Sequence, residues 1–414
     1  YEGLEYILEK AAQMGFKTKN VDGYCGYAEY GEGEELAAII THFDVVPEGI
    51  GWTHSPYGGE IVGDTIYGRG VSDNKGAGVV ALYCLKLLKD LKIVPKRRIR
   101  VIFGLDEECG MSDMEYYLEH EELPTFAFTP DSGYPIYRGE MGIARVVFES
   151  PAKNDGVALY GGNAVNMVPD RAYMELDGRY SERFDVLERA AASYSGIRIG
   201  TERKNGTLVF TAYGTSSHGA WPQNGVNALS HLIAFACEQE LVDKKQGLFA
   251  FLHDRIGLDY SGATLGIAMS DTISQALTVN LGVLKHGEEN DTGMIDIRYP
   301  ITGDFGFISG QICKLAELYG VAVDDSDHSA PTYVEDDSRV IRLLSAAYEE
   351  VTGEPAELRT MCGGTYSRMF RGRCVGFGGM GENAHAPDEY VTFDDLLKHA
   401  SICAQAVYRI AVEE

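Results

Sequence analysis

The sequence predicts an α/β protein: a mixed, mostly parallel sheet flanked by helices, interrupted by an inserted α+β domain. Three observations lead there. Apolar runs without alternation, such as Leu36-Ala37-Ala38-Ile39-Ile40, read as strands buried on both faces, as in a sheet covered by helices. In the first third of the chain such runs alternate with segments of helical spacing. From about Arg138 the pattern changes to polar alternation, and the helix-and-strand pattern returns near Pro331.

In order, Leu36–Thr41 is a strand, and Gly78–Leu91 is a helix on the spacing of Val79, Leu82, Tyr83 and Leu87. Ile99–Leu105 reads as a strand, Met114–Glu119 as a helix and Phe126–Pro130 as a short strand. "IARVVFES", "YMELDGRY" and "GTLVFTAYGT" alternate as in an antiparallel sheet. A helix around Val340–Val351 and a last one from Phe393 to about Val412 restore the first pattern. Residues 1–141 and 331–414 are therefore expected to form one discontinuous domain around an insertion of residues 142–330. The insertion is long enough for two small sheet-and-helix units.

The 414 residues leave room for two domains and a large core. A formal net charge of −26 argues against nucleic acid and anionic membrane surfaces, which call for basic patches. The eight cysteines are scattered singly, with no Cys-x-x-Cys pair, so neither a zinc–thiolate framework nor a disulfide scaffold is expected. No apolar stretch has the length of a membrane span and no signal peptide is visible, which makes cytoplasm the expected location. The sequence opens at Tyr1-Glu2-Gly3 without a methionine, so an opening segment is expected to be missing.

Chemistry gathers at the strand ends. The first strand delivers His42 and, two residues on, Asp44; strand period would put both on one side. "GRGVSDNKGAG" sets Asp73 in a glycine-rich turn before a helix, "GLDEECG" sets Glu107 and Glu108 after a strand, and "FTPDSGYP" does the same for Asp131. His385 follows the strand-like Cys374-Val375-Gly376-Phe377 in the loop "GGMGENAHAPDEY". His42, Asp73, Glu108, Asp131 and His385 form a nitrogen–oxygen donor set suited to Zn²⁺, Mn²⁺ or Co²⁺. Five ligands are too many for one open catalytic ion, but fit two ions about 3.5–4 Å apart that share a carboxylate. Each residue also has an ordinary explanation. Asp73 could be a helix cap, the glutamates a solvated turn, and the histidines surface residues. Recurrence at one sheet edge, where α/β folds bind ligands, speaks for a site. The residues alone leave both readings open.

The combination "HFDVVP…GW…P", "YGRGVSDNKG", "DEECG", "FTPDSGYP" and "HAPDEY" resembles the M20 family of dinuclear metallopeptidases. Within it, "EHEELPTFAFTPDSGYPI", "NMVPDRA" and "SSHGAWPQNGVNAL" are most similar to the bacterial PepV-type, or Xaa-His, dipeptidases. The resemblance covers most of the chain. It implies a metal-dependent dipeptidase with two divalent ions, zinc first and manganese or cobalt as alternatives. Asp73 would bridge them, with His42 and Asp131 on one ion and Glu108 and His385 on the other. Asp44 would orient the His42 ring and Glu107 would be the general base. The insertion would act as a lid, in which His218 steadies the oxyanion, Arg298 holds the substrate's C-terminal carboxylate, and Asn166 adds a polar contact. Gly363 and Gly364 in "MCGGTYSR" would offer backbone N–H groups to that carboxylate. The resemblance further implies a cis peptide between Asp73 and Asn74, and a lid that serves its own chain, so that the catalytic unit is monomeric.

Two other readings compete. An M20 N-acyl amino-acid deacylase or desuccinylase could share the same centre, and would differ in the pocket for the substrate's N-terminal part. A non-catalytic metal-dependent binding protein is the third, against which stand Asp44 and Glu107, both present. Met141 in "RGEMG" stands where the nearest PepV-type sequences carry Lys, and Cys109 where Ser or Gly is common. Both bear on substrate preference rather than on the ligand set.

Overall fold

The computed structural model describes residues 2–153 and 155–414. The chain divides into two units: residues up to Glu140 together with Thr332–Glu414, and the continuous segment Met141–Pro331. Among the described residues no helix is long and apolar enough to cross a membrane.

The first unit is built on a nine-stranded sheet. Its path runs Lys17–Val21, Cys25–Tyr30, Arg98–Gly104, Leu36–His42, Phe126–Thr129, Cys374–Gly378, Gly133–Glu140 and Thr332–Tyr333, with Leu358–Met361 also paired to Gly133–Glu140. The central strands, from Arg98–Gly104 to Cys374–Gly378, run parallel. Antiparallel pairs flank them. Both faces are covered, which explains the missing alternation. Ala37, Ile39, Ile99, Val101 and Phe103 pack under the helices Glu2–Gln13, Lys75–Asp90, Arg339–Thr352 and Phe393–Val412. Ala38, Ile40 and Ile102 pack on the other face with Met114 and Tyr117 of the helix Ser112–His120, and with Tyr366 and Phe370.

The helix expected from Gly78 begins at Lys75, and its apolar spacing is misleading. Val79, Tyr83 and Leu87 are exposed, whereas Ala77, Ala81, Leu82, Cys84, Leu85 and Leu88 are buried. Both stripes of this helix are apolar at helical spacing, so periodicity alone cannot choose which one faces the sheet.

The second unit carries an eight-stranded sheet, antiparallel throughout. Two four-stranded halves meet between Val157–Gly161 and Thr278–His286, where Gly161 pairs with Leu284. Alternation works as expected here: Leu208, Phe210 and Ala212 of the strand Thr207–Tyr213 point into the core, beside Leu229, Leu232 and Phe235 of the helix Ala228–Glu238.

Candidate functional site

In the first unit the parallel strands Leu36–His42 and Arg98–Gly104 end together, His42 opposite Gly104. His42 closes its strand and is 1% exposed. The parity that sends Ala38 and Ile40 to the second face sends His42 the same way, and its ring meets Tyr366 edge-on, 6.3 Å between centroids. Past His42 the chain makes one more bond to the neighbouring strand, Phe43 N to the Gly104 carbonyl at 2.9 Å, and Asp44 then meets the imidazole. Nδ1 of His42 lies 3.1 Å from the Asp44 carbonyl oxygen and 3.4 Å from Asp44 Oδ1. Asp44 Oδ2 accepts the backbone N–H of Glu108 at 3.0 Å. One aspartate thus contacts both the histidine and the turn that carries both glutamates.

The five ligand-type residues converge as two triads, His42–Asp73–Asp131 and Asp73–Glu108–His385, each with its donor atoms within 4.8 Å of one another. His42 Nε2 lies 3.0 Å from Asp73 Oδ1 and 3.6 Å from Asp131 Oδ2. His385 Nε2 lies 3.0 Å from Asp73 Oδ2 and 3.0 Å from Glu108 Oε1. Asp73 turns one oxygen to each triad, as a bridging carboxylate would. With metal–ligand bonds of about 2.0–2.1 Å, the donors around a tetrahedral ion stand about 3.3 Å apart, close to the 3.0 to 3.6 Å of the imidazole–carboxylate pairs. The peptide between Asp73 and Asn74 is cis, and the Asn74 amide donates to the Pro130 carbonyl at 2.8 Å and to Asp131 Oδ1 at 3.1 Å.

Electrostatics point the same way. Burial works against charge on His42, yet its bonds to Asp131, Asp44 and Asp73 hold the imidazole well above its ordinary range. Bonds to Asp73 and Glu108 push His385 up to about 10. Burial pushes Asp131 up to about 6. Glu107 is driven well above the usual carboxylate range by burial and then by the charge of Asp131. Asp73 goes the other way: burial resists its charge, but the two imidazoles hold it well below. The cluster has more carboxylates than its two rings can neutralise, so it gathers protons. Such a donor set is one that cations would satisfy.

A cavity of about 520 Å³ opens beside Asp73 and Asp131, bordered by Ser132, Tyr134, Met361, Met380 and Lys398. That is room for a small ligand. The glycine loop Gly363-Gly364 follows the strand Leu358–Met361 and is shaped by Arg368, whose Nη2 donates to the Gly363 carbonyl at 3.3 Å. Buried Glu140 anchors this loop, accepting from Thr365 N (3.1 Å), Thr365 Oγ1 (2.7 Å), Ser367 Oγ (2.5 Å) and Arg368 Nε (3.0 Å). Asp113 does likewise for the glutamate turn: its Oδ2 accepts Leu105 N (2.6 Å) and Asp106 N (3.1 Å), and also the Tyr366 hydroxyl. Gly104 makes room for this, because a Cβ there would meet Tyr366 Oη at 2.1 Å. Sequence reading missed Glu140, Asp113 and Tyr366. Each looked like an ordinary element-end residue.

In the second unit, Asn166 and His218 are neighbours: the Asn166 carbonyl accepts Gly219 N at 2.6 Å, and His218 Nδ1 accepts Ala220 N at 3.0 Å. His218 is exposed. Arg298 is buried, 3% exposed, and donates Nε and Nη2 to Asp296 Oδ2 at 3.0 and 2.9 Å. Burial pushes the Asp296 carboxyl above its usual range, and the Arg298 guanidinium opposes that shift.

Comparison with known proteins gives the family and the fold. The chain is 35% identical over 427 residues to "Putative dipeptidase YtjP" of Bacillus subtilis (strain 168), covering 99% of this chain and 90% of that protein. The fold is shared with the M20 family metallo-carboxypeptidase Sso-CP2 of Sulfolobus solfataricus, with TM-score 0.62 and 16% identity over 99% of this chain and 94% of that one. It is also shared with the aminoacylhistidine dipeptidase of Vibrio alginolyticus, with TM-score 0.57 and 17% identity over 98% and 92% of the two chains. A family model described as Peptidase family M20/M25/M40 matches residues 38–409, and the chain belongs to that family of peptidases.

Proposed function

We propose that this peptidase hydrolyses dipeptides at a centre for two divalent cations, zinc first and manganese or cobalt as alternatives. The observation that carries the proposal is the pair of triads joined through Asp73, one oxygen to each. His42 and Asp131 would complete one cation site, Glu108 and His385 the other. Such ions, when bound, polarise a carbonyl oxygen and lower the pKa of water. Glu107 stands beside the triads in the same turn as Glu108. It takes the proton of the attacking water and returns it to the leaving amine nitrogen. Asp44 holds the His42 ring in register while it accepts the Glu108 N–H. Gly363 and Gly364 offer backbone N–H groups to the substrate's carboxylate.

The same reading gives the inserted unit a share in substrate binding. His218 steadies the oxyanion, Arg298 binds the C-terminal carboxylate in the orientation Asp296 imposes, and Asn166 adds a polar contact. One chain would supply the whole site. The test is a hydrolysis panel of free dipeptides, tripeptides, N-acetyl and N-succinyl amino acids with added Zn²⁺ or Mn²⁺. Preferential turnover of dipeptides supports the proposal; turnover confined to the acylated amino acids replaces it with a deacylase.

A further inference from the structure

A fully buried carboxylate behind the triads touches the one residue they have in common. Glu389, 0% exposed, lies four residues after His385. Its Oε1 accepts the backbone N–H groups of Ser72 at 2.8 Å and of Asp73 at 3.0 Å. Its Oε2 accepts the N–H of Gly70 at 2.9 Å and Nη1 of the buried Arg69 guanidinium at 2.7 Å. All four partners are donors, so a carboxylate suits the position and an amide, itself half donor, satisfies only part of it. The loop bends around this carboxylate at Gly70, where φ is +86° and a Cβ would meet Lys75 Cε at 2.2 Å and Val45 Cγ1 at 2.8 Å. Further bonds tie the same two segments: Gly68 N to the Glu389 carbonyl at 3.0 Å, and Ser72 Oγ to the Met380 carbonyl at 2.6 Å. The segment that carries His385 therefore also fixes the backbone of Asp73.

We infer that Glu389 is a positioning residue that sets both cation sites at once, by holding the backbone of the shared ligand Asp73. The inference rests on the two-cation reading above. Without the Glu389 carboxylate, Asp73 no longer keeps one oxygen on each triad, and affinity falls at both sites together. Loss of Asp131 or Glu108, each in a single triad, acts mainly on one.

The experiment is a competitive titration of chelator-stripped protein with Zn²⁺ or Co²⁺, with a melting curve for each variant as the check on folding. Glu389→Gln is expected to weaken both sites by about 10- to 100-fold, the usual range for losing a partner that orients a ligand. Asp131→Asn is expected to weaken one site more than the other. Glu389→Asp, which keeps the charge on a shorter side chain, is expected to recover part of the loss. Glu29→Gln removes another buried carboxylate, one paired with Arg100 at 2.7 Å outside both triads, and is expected to lower the melting temperature while leaving both affinities intact. Wild-type affinity at both sites in folded Glu389→Gln overturns the inference, as does weakening of one site alone. If the amide variant does not fold, wild-type affinity in Glu389→Asp overturns it instead. Failure of the wild-type protein to bind two cations overturns the two-cation reading, and the wild-type titration alone reveals that.

Discussion

Glu107 and Glu108 are adjacent in sequence and unequal in position, and replacing each by glutamine separates their roles. Glu108 Oε1 faces His385 Nε2 at 3.0 Å within a triad, whereas Glu107 belongs to neither triad. Glu107→Gln removes a proton acceptor and leaves all five ligands in place. Losing a general base costs about 10²- to 10⁴-fold in turnover, or about 2.7 to 5.4 kcal/mol of barrier. Glu108→Gln removes a direct ligand, which should cost at least the roughly 10- to 100-fold in affinity that loss of an outer partner costs. The assay pairs kcat on a dipeptide with the metal-to-protein ratio after gel filtration. Glu107→Gln should keep the wild-type ratio and lose turnover that added metal does not restore. Glu108→Gln should lose metal and regain part of its activity as the cation is raised. Equal metal ratios in the two variants, or Glu107→Gln turnover within tenfold of wild type, would refute the assignment of base and ligand.

Two further outcomes follow from other parts of the structure. Buried His399 bonds the Tyr134 hydroxyl through Nδ1 at 3.0 Å, and burial pulls its pKa from 6.5 down to about 4. Its neutral form is therefore favoured in the fold: stability is unaffected above pH 6.5, falls as the unfolded chain takes up the proton, and is lower by about 3 kcal/mol below pH 4. Denaturant titrations should show a shallower acid slope between pH 6.5 and 4 in His399→Gln than in wild type, and parallel slopes would exclude His399 as the source. If one chain completes its own site, mixing Glu107→Gln with His218→Ala protein after subunit exchange should restore no activity, and recovery would place His218 across a dimer.

Much of the fold was legible because burial leaves a plain mark. The run Leu36–Ile40 lacks alternation because Ala37 and Ile39 meet one core while Ala38 and Ile40 meet another. Alternation in Thr207–Tyr213 marked the half-solvated sheet equally well. The helix Lys75–Asp90 misled because its exposed stripe also carries apolar residues, Val79, Tyr83 and Leu87, at helical spacing, and the sequence has no record of what covers a face. The five ligand-type residues could be located because strand ends on a parallel sheet are where loops bring side chains together. The residues that hold them in place were not legible. Glu389 and Asp113 accept backbone N–H groups from loops distant or curled in sequence, and such bonds depend on chain path rather than residue pattern. Strand parity put Asp44 on the same side as His42 and the family resemblance made it the partner of that ring, and the two are in contact. Arg298 was open to the ordinary reading as one side of an ion pair, and its guanidinium is indeed buried against Asp296, two residues before it on the same strand.

The central claim is that Asp73 serves two cations, and metal content tests it most directly. Elemental analysis of wild-type and Asp73→Asn protein, each equilibrated with Zn²⁺ and passed through gel filtration, should find two ions per chain in the former. In the variant both sites should be depleted together, because both triads lose the same carboxylate. A single ion in the wild-type protein, or full retention of two ions in Asp73→Asn, would contradict it.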